Sequence, residues 1–310
     1  MTCVSFPVEL GRLWTACCFV GVLCTNHAAA QDMPLTQVLL DDAPWRLVAE
    51  GFKFTEAPAV DRNGRLYFSD VPSGRVFRLR EDGKAEVFAE NAGGTSGLMF
   101  GPNGLLFGCL NKAKQVVAYE PDGSFEVLAD LPSANDLVVS RKGHIYVTSP
   151  KSNSVWLVKY GSTDKPQKVA EGFRPNGIIL WQDEATLVVT DGNSPVLRTF
   201  RVETDGGLKF GAAYYSPLQT TFGETEPRSD GMTVDDAGRL YVATSVGVQM
   251  FDPTGRLGGS ISKPQAAFLS NVVFGGPDFR TLYATSADKV FARRVKPSGT
   301  PSIVDRTTGQ

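Results

Sequence analysis

Short apolar runs, most of them alternating with polar residues, follow one another along nearly the whole chain, and no window of useful length carries the 3.6-residue period of an amphipathic helix. Side chains alternate sides along a strand, so the pattern predicts strands throughout. Six runs are copies of one segment, a turn leading into a β run: DRNGRLYFSD (61–70), GPNGLLFGCL (101–110), SRKGHIYVTS (140–149), EATLVVTD (184–191), DDAGRLYVAT (235–244) and GPDFRTLYAT (276–285). Their starts lie roughly 40 to 50 residues apart, the length of a repeat made of one four-stranded unit. Each copy is followed by a second half that reads as a hairpin, as in GRVFRLREDGKAEVFAE (74–90) and KQVVAYEPDGSFEVLAD (114–130). Asp82-Gly83 and Asp122-Gly123 between alternating apolar runs read as two-residue turns, because Gly and Asp tolerate positive φ.

A sheet of four short strands cannot bury both of its faces alone. Six such units packed radially cover one another and leave only short edges, so the expected fold is all-β, a six-bladed β-propeller with about four antiparallel strands per blade. A β-sandwich would hold a similar number of strands but would not impose a fixed repeat. Closure of the ring joins the two ends of the chain. RLVAE (46–50) resembles the last strand of other repeats (EVFAE, EVLAD, QKVAE) and can complete the sixth blade; PSIV (301–304) competes for the place.

The repeat also sets six residues at one structural position. Glu56, Ser96, Asn135 and Asp230 stand eight residues before Gly64, Gly104, Gly143 and Gly238, and Asn176 and Asn271 hold the matching place in the copies with altered turns. In a closed ring a repeated offset aims all six at one axis. Any single Asp-Gly or Asn-Gly pair is ordinary turn chemistry, and Asn63-Gly64, Asn103-Gly104 and Asp122-Gly123 are read that way. The shared offset is what separates the six. Glu56, Asn135, Asn176 and Asp230 would bring two carboxylates and two amide carbonyls to one point, and like charges crowded there call for something positive between them. An all-oxygen set suits a hard divalent cation, Ca²⁺ first, with Mg²⁺ or Mn²⁺ as the other choices. Four protein ligands leave coordination positions for water and a substrate oxygen.

Composition narrows the function further. A net charge of −2 gives no electrostatic reason to expect nucleic acid or an anionic membrane as partner, and 42% hydrophobic residues suffice for a core. Arg12, the apolar run Leu13 to Cys24 and the small residues Ala28-Ala29-Ala30 before Gln31 read as a secretory signal over 1–30, too short for a permanent span. Residues 31–310 then form a single propeller domain, periplasmic or secreted, with no membrane contact once the signal is removed. Cys3, Cys17, Cys18 and Cys24 would leave with the signal, and Cys109 alone can form no internal disulfide; in its apolar run it reads as a buried thiol. His144 is the only histidine after residue 31, which argues against zinc and against a Ser-His-Asp triad.

Over roughly 45–295 the chain resembles the senescence marker protein/gluconolactonase/luciferin-regenerating enzyme family. The segments that carry the resemblance are GFKFTEAPAVDRNGRLYFSD, SANDLVVSRKGHIYVTSP, RPNGIIL, SDGMTVDDAGRLYVATSVGVQMFDPTGR and NVVFGGPDFRTLYAT. The resemblance implies a six-bladed propeller with a divalent cation on Glu56, Asn135, Asn176 and Asp230, and hydrolysis of a lactone with Asp230 as general base. A small-molecule lactone or ester is the expected substrate, with Asp136, Ser96 and Asn271 as substrate-contacting or supporting residues. Departures from the family pattern fall at Ser96, at Asn111 after Cys109-Leu110, and at Ser149. Another is Ser133, where an arginine binds sugar lactones in some members. A non-catalytic binding scaffold and a strictosidine-synthase-like propeller enzyme are the rival readings of the same fold.

Overall fold

The computed structural model describes residues 34–300. The expected signal over 1–30 and the segment PSIV lie outside the described residues. Among the described residues, twenty-four strands form six sheets of four, with no α-helix and three single 3₁₀ turns (Leu35–Gln37, Val71–Ser73, Pro150–Ser152). Neighbouring strands in each sheet run antiparallel, as in the first blade, where Thr55–Val60, Leu66–Asp70, Arg75–Leu79 and Ala85–Ala89 succeed one another outward. The six blades, in chain order, are the propeller that the repeat predicts.

Burial follows position in the blade. The two inner strands of blade 1, Thr55–Val60 and Leu66–Asp70, are buried along their whole length, whereas the outer strand Ala85–Ala89 is only partly covered. Inner strands are sandwiched between the faces of two neighbouring blades, and away from the end that carries Thr55, Glu56, Ser69 and Asp70 both sides are mostly apolar. The seams between blades are joined by aromatic edges: Tyr67 meets Phe100 at 5.0 Å between blades 1 and 2, Phe107 meets Tyr160 at 5.1 Å between blades 2 and 3, and Tyr241 meets Phe274 at 5.2 Å between blades 5 and 6. Each such pair adds about 0.5–1.5 kcal/mol beyond the area it buries.

Closure is settled in favour of RLVAE. Arg46–Glu50 pairs antiparallel with Lys289–Arg294 as the outermost strand of blade 6, with Leu47 opposite Phe291 and a 3.0 Å ion pair between Lys289 and Glu50. The chain then enters blade 1, where the Thr55 amide donates to Ala287 O at 2.6 Å and its hydroxyl to Lys289 O at 2.9 Å. The first strand thereby fastens the last blade to the first.

The hairpin turns differ from the two-residue reading. Arg80 N donates to Lys84 O and Gly83 N to Arg80 O, so Glu81, Asp82 and Gly83 form a three-residue loop with Gly83 at φ 81°. Glu120 and Ser124 close the same loop around Gly123 at φ 85°. The left-handed third residue forms a bulge that matches the twist of the flanking strands. The Asp keeps a local role: Asp82 Oδ1 accepts from Lys84 N at 3.1 Å and Asp122 Oδ1 from Ser124 N at 2.9 Å.

Candidate functional site at the axis

The innermost strands are Thr55–Val60, Thr95–Phe100, Leu137–Val139, Pro175–Leu180, Met232–Val234 and Leu269–Gly275. Each of the six offset residues sits at or just before the start of one of them. In four blades the pairing slips there: between Glu56 and Ala59, Thr95 and Gly97, Pro175 and Ile178, and Leu269 and Asn271. In the other two the regular strand begins just after Asn135-Asp136 and Asp230-Gly231. A bulge re-aims the side chain next to it, and at Ala57 the backbone takes the left-handed region at φ 53°.

Glycines let the blades close round the axis. A Cβ on Gly231 would stand 1.8 Å from Asn271 Cγ, one on Gly177 would stand 2.1 Å from Asp230 O, and one on Gly97 would stand 2.7 Å from Asp136 Cα. Each of these glycines directly follows a ring residue, so the backbone of the next blade packs where a side chain would have been.

Hydrogen bonds link the ring residues from blade to blade. Ser96 Oγ donates to Asn135 O at 2.7 Å, Asn135 Nδ2 donates to Asn176 Oδ1, and Asn176 Nδ2 donates to Ser229 O at 3.3 Å. Asn271 Nδ2 donates to Glu56 Oε1 at 3.2 Å, while the Ser270 hydroxyl is held by Thr55 O and Thr285. Asn111 Nδ2 reaches Asn135 Oδ1 at 3.4 Å. The structure thus brings together all seven residues expected at the site. Ser96 and Asn271 hold other ring groups in place: Ser96 has its proton on a backbone carbonyl and Asn271 has its amide on Glu56.

Asp136 is the larger addition. Its carboxyl is buried at the axis, feels the charge of Glu56 and in turn acts on Asp230, so three carboxylates converge rather than two. Burial pushes Glu56 up to about 7, while the polar groups of Ser270 and Asn271 beside it pull it back. Burial, then the charge of Glu56, pushes Asp136 up to about 8. Asp230 is raised well above the ordinary carboxylate range by burial, then by Glu56 and Asp136. No basic side chain is among the groups acting on the three.

A divalent cation fits this set. Glu56 Oε2 is buried without a hydrogen-bond partner, which is costly unless something electropositive meets it. Three crowded carboxyl groups without a counter-charge create the same demand. Among the described residues no group of three or more His, Cys, Asp or Glu side chains stands in metal-holding geometry, so a cation here would rest on a mixed set of carboxylates and amide carbonyls. That composition is hard-oxygen chemistry.

The remaining candidates fall outside the ring chemistry. Cys109 is fully buried, and burial with the nearby Asp136 charge pushes its thiol well up, which makes it inert at neutral pH. His144 begins the second strand of blade 3, at the end away from Asn135, with its amide on Ser140 Oγ. Ser133 shares a 2.8 Å hydrogen bond with Ser149 Oγ and accepts from Lys151 N at 3.1 Å. Behind the ring lies an axial cavity of about 160 Å³ lined by the inner strands of all six blades, with Asp136 and Asn271 among the lining residues.

A closed six-bladed propeller with carboxylates and amides gathered at one end of its axis defines a class of propeller built to hold a polar site. Within that class the chain belongs to the SMP-30/gluconolactonase/LRE-like family, whose model matches residues 54–288. It is 24% identical over 305 residues to a gluconolactonase of Zymomonas mobilis, with 86% of this chain and 85% of that one covered. It is 25% identical over 232 residues to the pentonolactonase XacC of Haloferax volcanii, with 72% and 77% covered. Among solved structures, a gluconolactonase from Xanthomonas campestris superposes with a TM-score of 0.74 at 26% identity, over 83% of this chain and 91% of that one. A calcium-binding protein, regucalcin, from Agrobacterium tumefaciens superposes with a TM-score of 0.70 at 18% identity, over 85% and 98%. At the level of the family, the chain stands among lactone-hydrolysing enzymes.

Proposed function

We propose that the protein is an exported hydrolase of a lactone or carboxylic ester that depends on a divalent cation. The observation that carries the reading is the unpartnered, buried Glu56 Oε2 within a group of three carboxylates that has no counter-charge. Glu56, Asn135, Asn176 and Asp230 would hold the cation. Calcium is favoured over magnesium and manganese by the all-oxygen set and by the fold shared with the calcium-binding regucalcin. When bound, the cation would polarise the substrate carbonyl.

The chain's own residues supply the rest. Asp230 would take a proton from the attacking water as its oxygen adds to the carbonyl carbon, and would return it to the departing alkoxide as the ring C–O bond breaks. The product is the open hydroxy acid. Asn271 orients Glu56 through its 3.2 Å hydrogen bond, and Ser96 fixes the backbone beside Asn135. A purely structural propeller would have no use for three uncompensated acids at its axis. Export rests on the sequence pattern of residues 1–30 and on a single cysteine thereafter. A panel of lactones and aryl esters assayed with calcium and after chelation tests the reading. Calcium-dependent turnover of at least one is expected, and none with any divalent cation would refute it.

A further inference from the structure

Several hydroxyls at the end of the propeller that carries the ring are engaged within the protein, while Ser229 Oγ, beside Asp230, is buried without a partner. Thr55, Ser69, Thr95 and Ser270 each donate to backbone carbonyls, Ser96 donates to Asn135 O, and Ser133 is paired with Ser149. Those engaged hydroxyls are not available to meet the hydroxyl groups of a substrate. The same end carries apolar surface. Phe54, two residues before Glu56, is half-buried and lies 6.0 Å from Phe268, which is 36% exposed and three residues before Asn271. The two are locked to the ring by short links: Ala287 N donates to Phe268 O at 3.0 Å and Thr55 N to Ala287 O at 2.6 Å. The rings therefore stand beside the Glu56–Asn271 hydrogen bond.

A third phenylalanine, Phe222, is exposed on the loop that leads to Asp230. The connection from Ala213 to Met232 is pinned on one side where Gln219 and Gln249 exchange two hydrogen bonds, and on the other where Ser245 N donates to Pro227 O at 2.8 Å. Between these points Glu224 N donates to Thr221 O at 2.9 Å, with Gly223 at φ 83°, the geometry of a tight turn with glycine at its third position. That turn holds Phe222 fully exposed, eight residues before Asp230.

We infer that Phe54 and Phe268, with Phe222 on the loop that leads to Asp230, form an apolar subsite for the substituent of the lactone. The substrate class is an alkyl- or aryl-substituted lactone rather than a polyhydroxylated one. The inference rests on the hydrolase reading for the reacting group only; the subsite itself is a binding claim.

The test is a homologous series of γ-lactones, unsubstituted through longer alkyl substituents, with an aryl-fused lactone and a polyhydroxylated lactone, run on the full chain with calcium. Burial of each methylene is worth about fourfold, so kcat/KM is expected to climb by up to that factor per carbon until the subsite is filled. In the double variant Phe54→Ala/Phe268→Ala the gain per methylene collapses, and in Phe222→Ser, a change at an exposed turn that spares the core, it is reduced. Binding of the matching alkyl-substituted lactams, which are not hydrolysed, is followed by calorimetry on the same proteins. A preference for the polyhydroxylated lactone, or an equal chain-length gain in parent and variants, overturns the inference. If no lactone is hydrolysed but lactam affinity still rises with chain length and falls in the variants, the subsite stands and the hydrolase reading fails. If lactam affinity is flat, the subsite falls whatever the hydrolysis shows.

Discussion

Asn271 and Glu56 are separated by 215 positions in the chain, yet Asn271 Nδ2 donates to Glu56 Oε1 at 3.2 Å. This contact joins the last blade to the first at the axis, while Arg46–Glu50 joins them at the rim. It engages only one oxygen of the carboxylate. Oε2 is left buried and unpartnered, so closing the ring and offering a ligand atom are two consequences of one placement.

That unpartnered oxygen leads to the first expected outcome. The purified protein should carry about one tightly held divalent cation, and removing it should lower the melting temperature, because a ligand bound only by the native state stabilises it, by about 2.7 kcal/mol at a hundredfold excess over Kd. Elemental analysis together with melting curves in chelator and in calcium checks this. A protein without metal and indifferent to calcium would refute it.

The crowding of acids gives a pH dependence with a definite sign. In the cation-free protein Glu56 sits near 7 and Asp136 near 8, both above their ordinary values of 4.5 and 3.8. The folded state then binds more protons than the unfolded state across that interval. Its stability should be greatest at acid pH and fall as pH rises from about 4 to about 8. Melting temperatures of chelated protein at pH 5.5 and pH 8 read the effect, and the lower value is expected at pH 8. A cation that pairs with the carboxylates should shrink the difference or reverse it.

Much of this architecture is legible in the sequence because every blade solves the same packing problem with the same residues. The six offset residues and RLVAE as a blade's outer strand are visible as repetition. The third carboxylate was harder to see. Asn135 and Asp136 are adjacent, and adjacent side chains on a regular strand point to opposite faces. Only because the regular strand starts at Leu137 can both contribute at the axis, and no local pattern announces where a strand begins. The turn at Asp82-Gly83 was read one residue short for a similar reason: the closing pair Arg80 and Lys84 is polar and carries no mark of pairing. Asn111 stood out only as a departure from the family pattern, and its amide reaching Asn135 Oδ1 at 3.4 Å is a contact between loops that no local pattern shows.

Glycine at the seams should be hard to replace. Gly231→Ala would set a methyl group where Asn271 Cγ now lies, so blades 5 and 6 must separate or Asn271 must leave Glu56. Overpacking of this kind typically costs about 1–3 kcal/mol. Loss of both stability and activity is expected, against little change for Ala at the exposed position Thr36. Thermal melts and turnover of the two variants decide it, and a Gly231→Ala protein as stable and active as the parent would show that the seam yields.

The proposed proton-transfer and cation-holding roles can be separated at Asp230 and Asn176. Asp230→Asn keeps an oxygen toward the axis and removes the proton acceptor, so the variant should retain cation, more weakly, while turnover falls by about 10² to 10⁴. Asn176→Ala removes an amide that accepts from Asn135 and donates to Ser229 O, which should loosen the ring between blades 3 and 5 and weaken the cation. Its activity should recover in part at high calcium, whereas that of Asp230→Asn should not. Calcium titrations of binding and of turnover on the same two proteins distinguish the cases. Near-normal turnover in Asp230→Asn would remove Asp230 as the base and turn attention to Glu56, whose oxygen Oε2 is buried without a hydrogen-bond partner, and to Asp136, the third buried carboxyl.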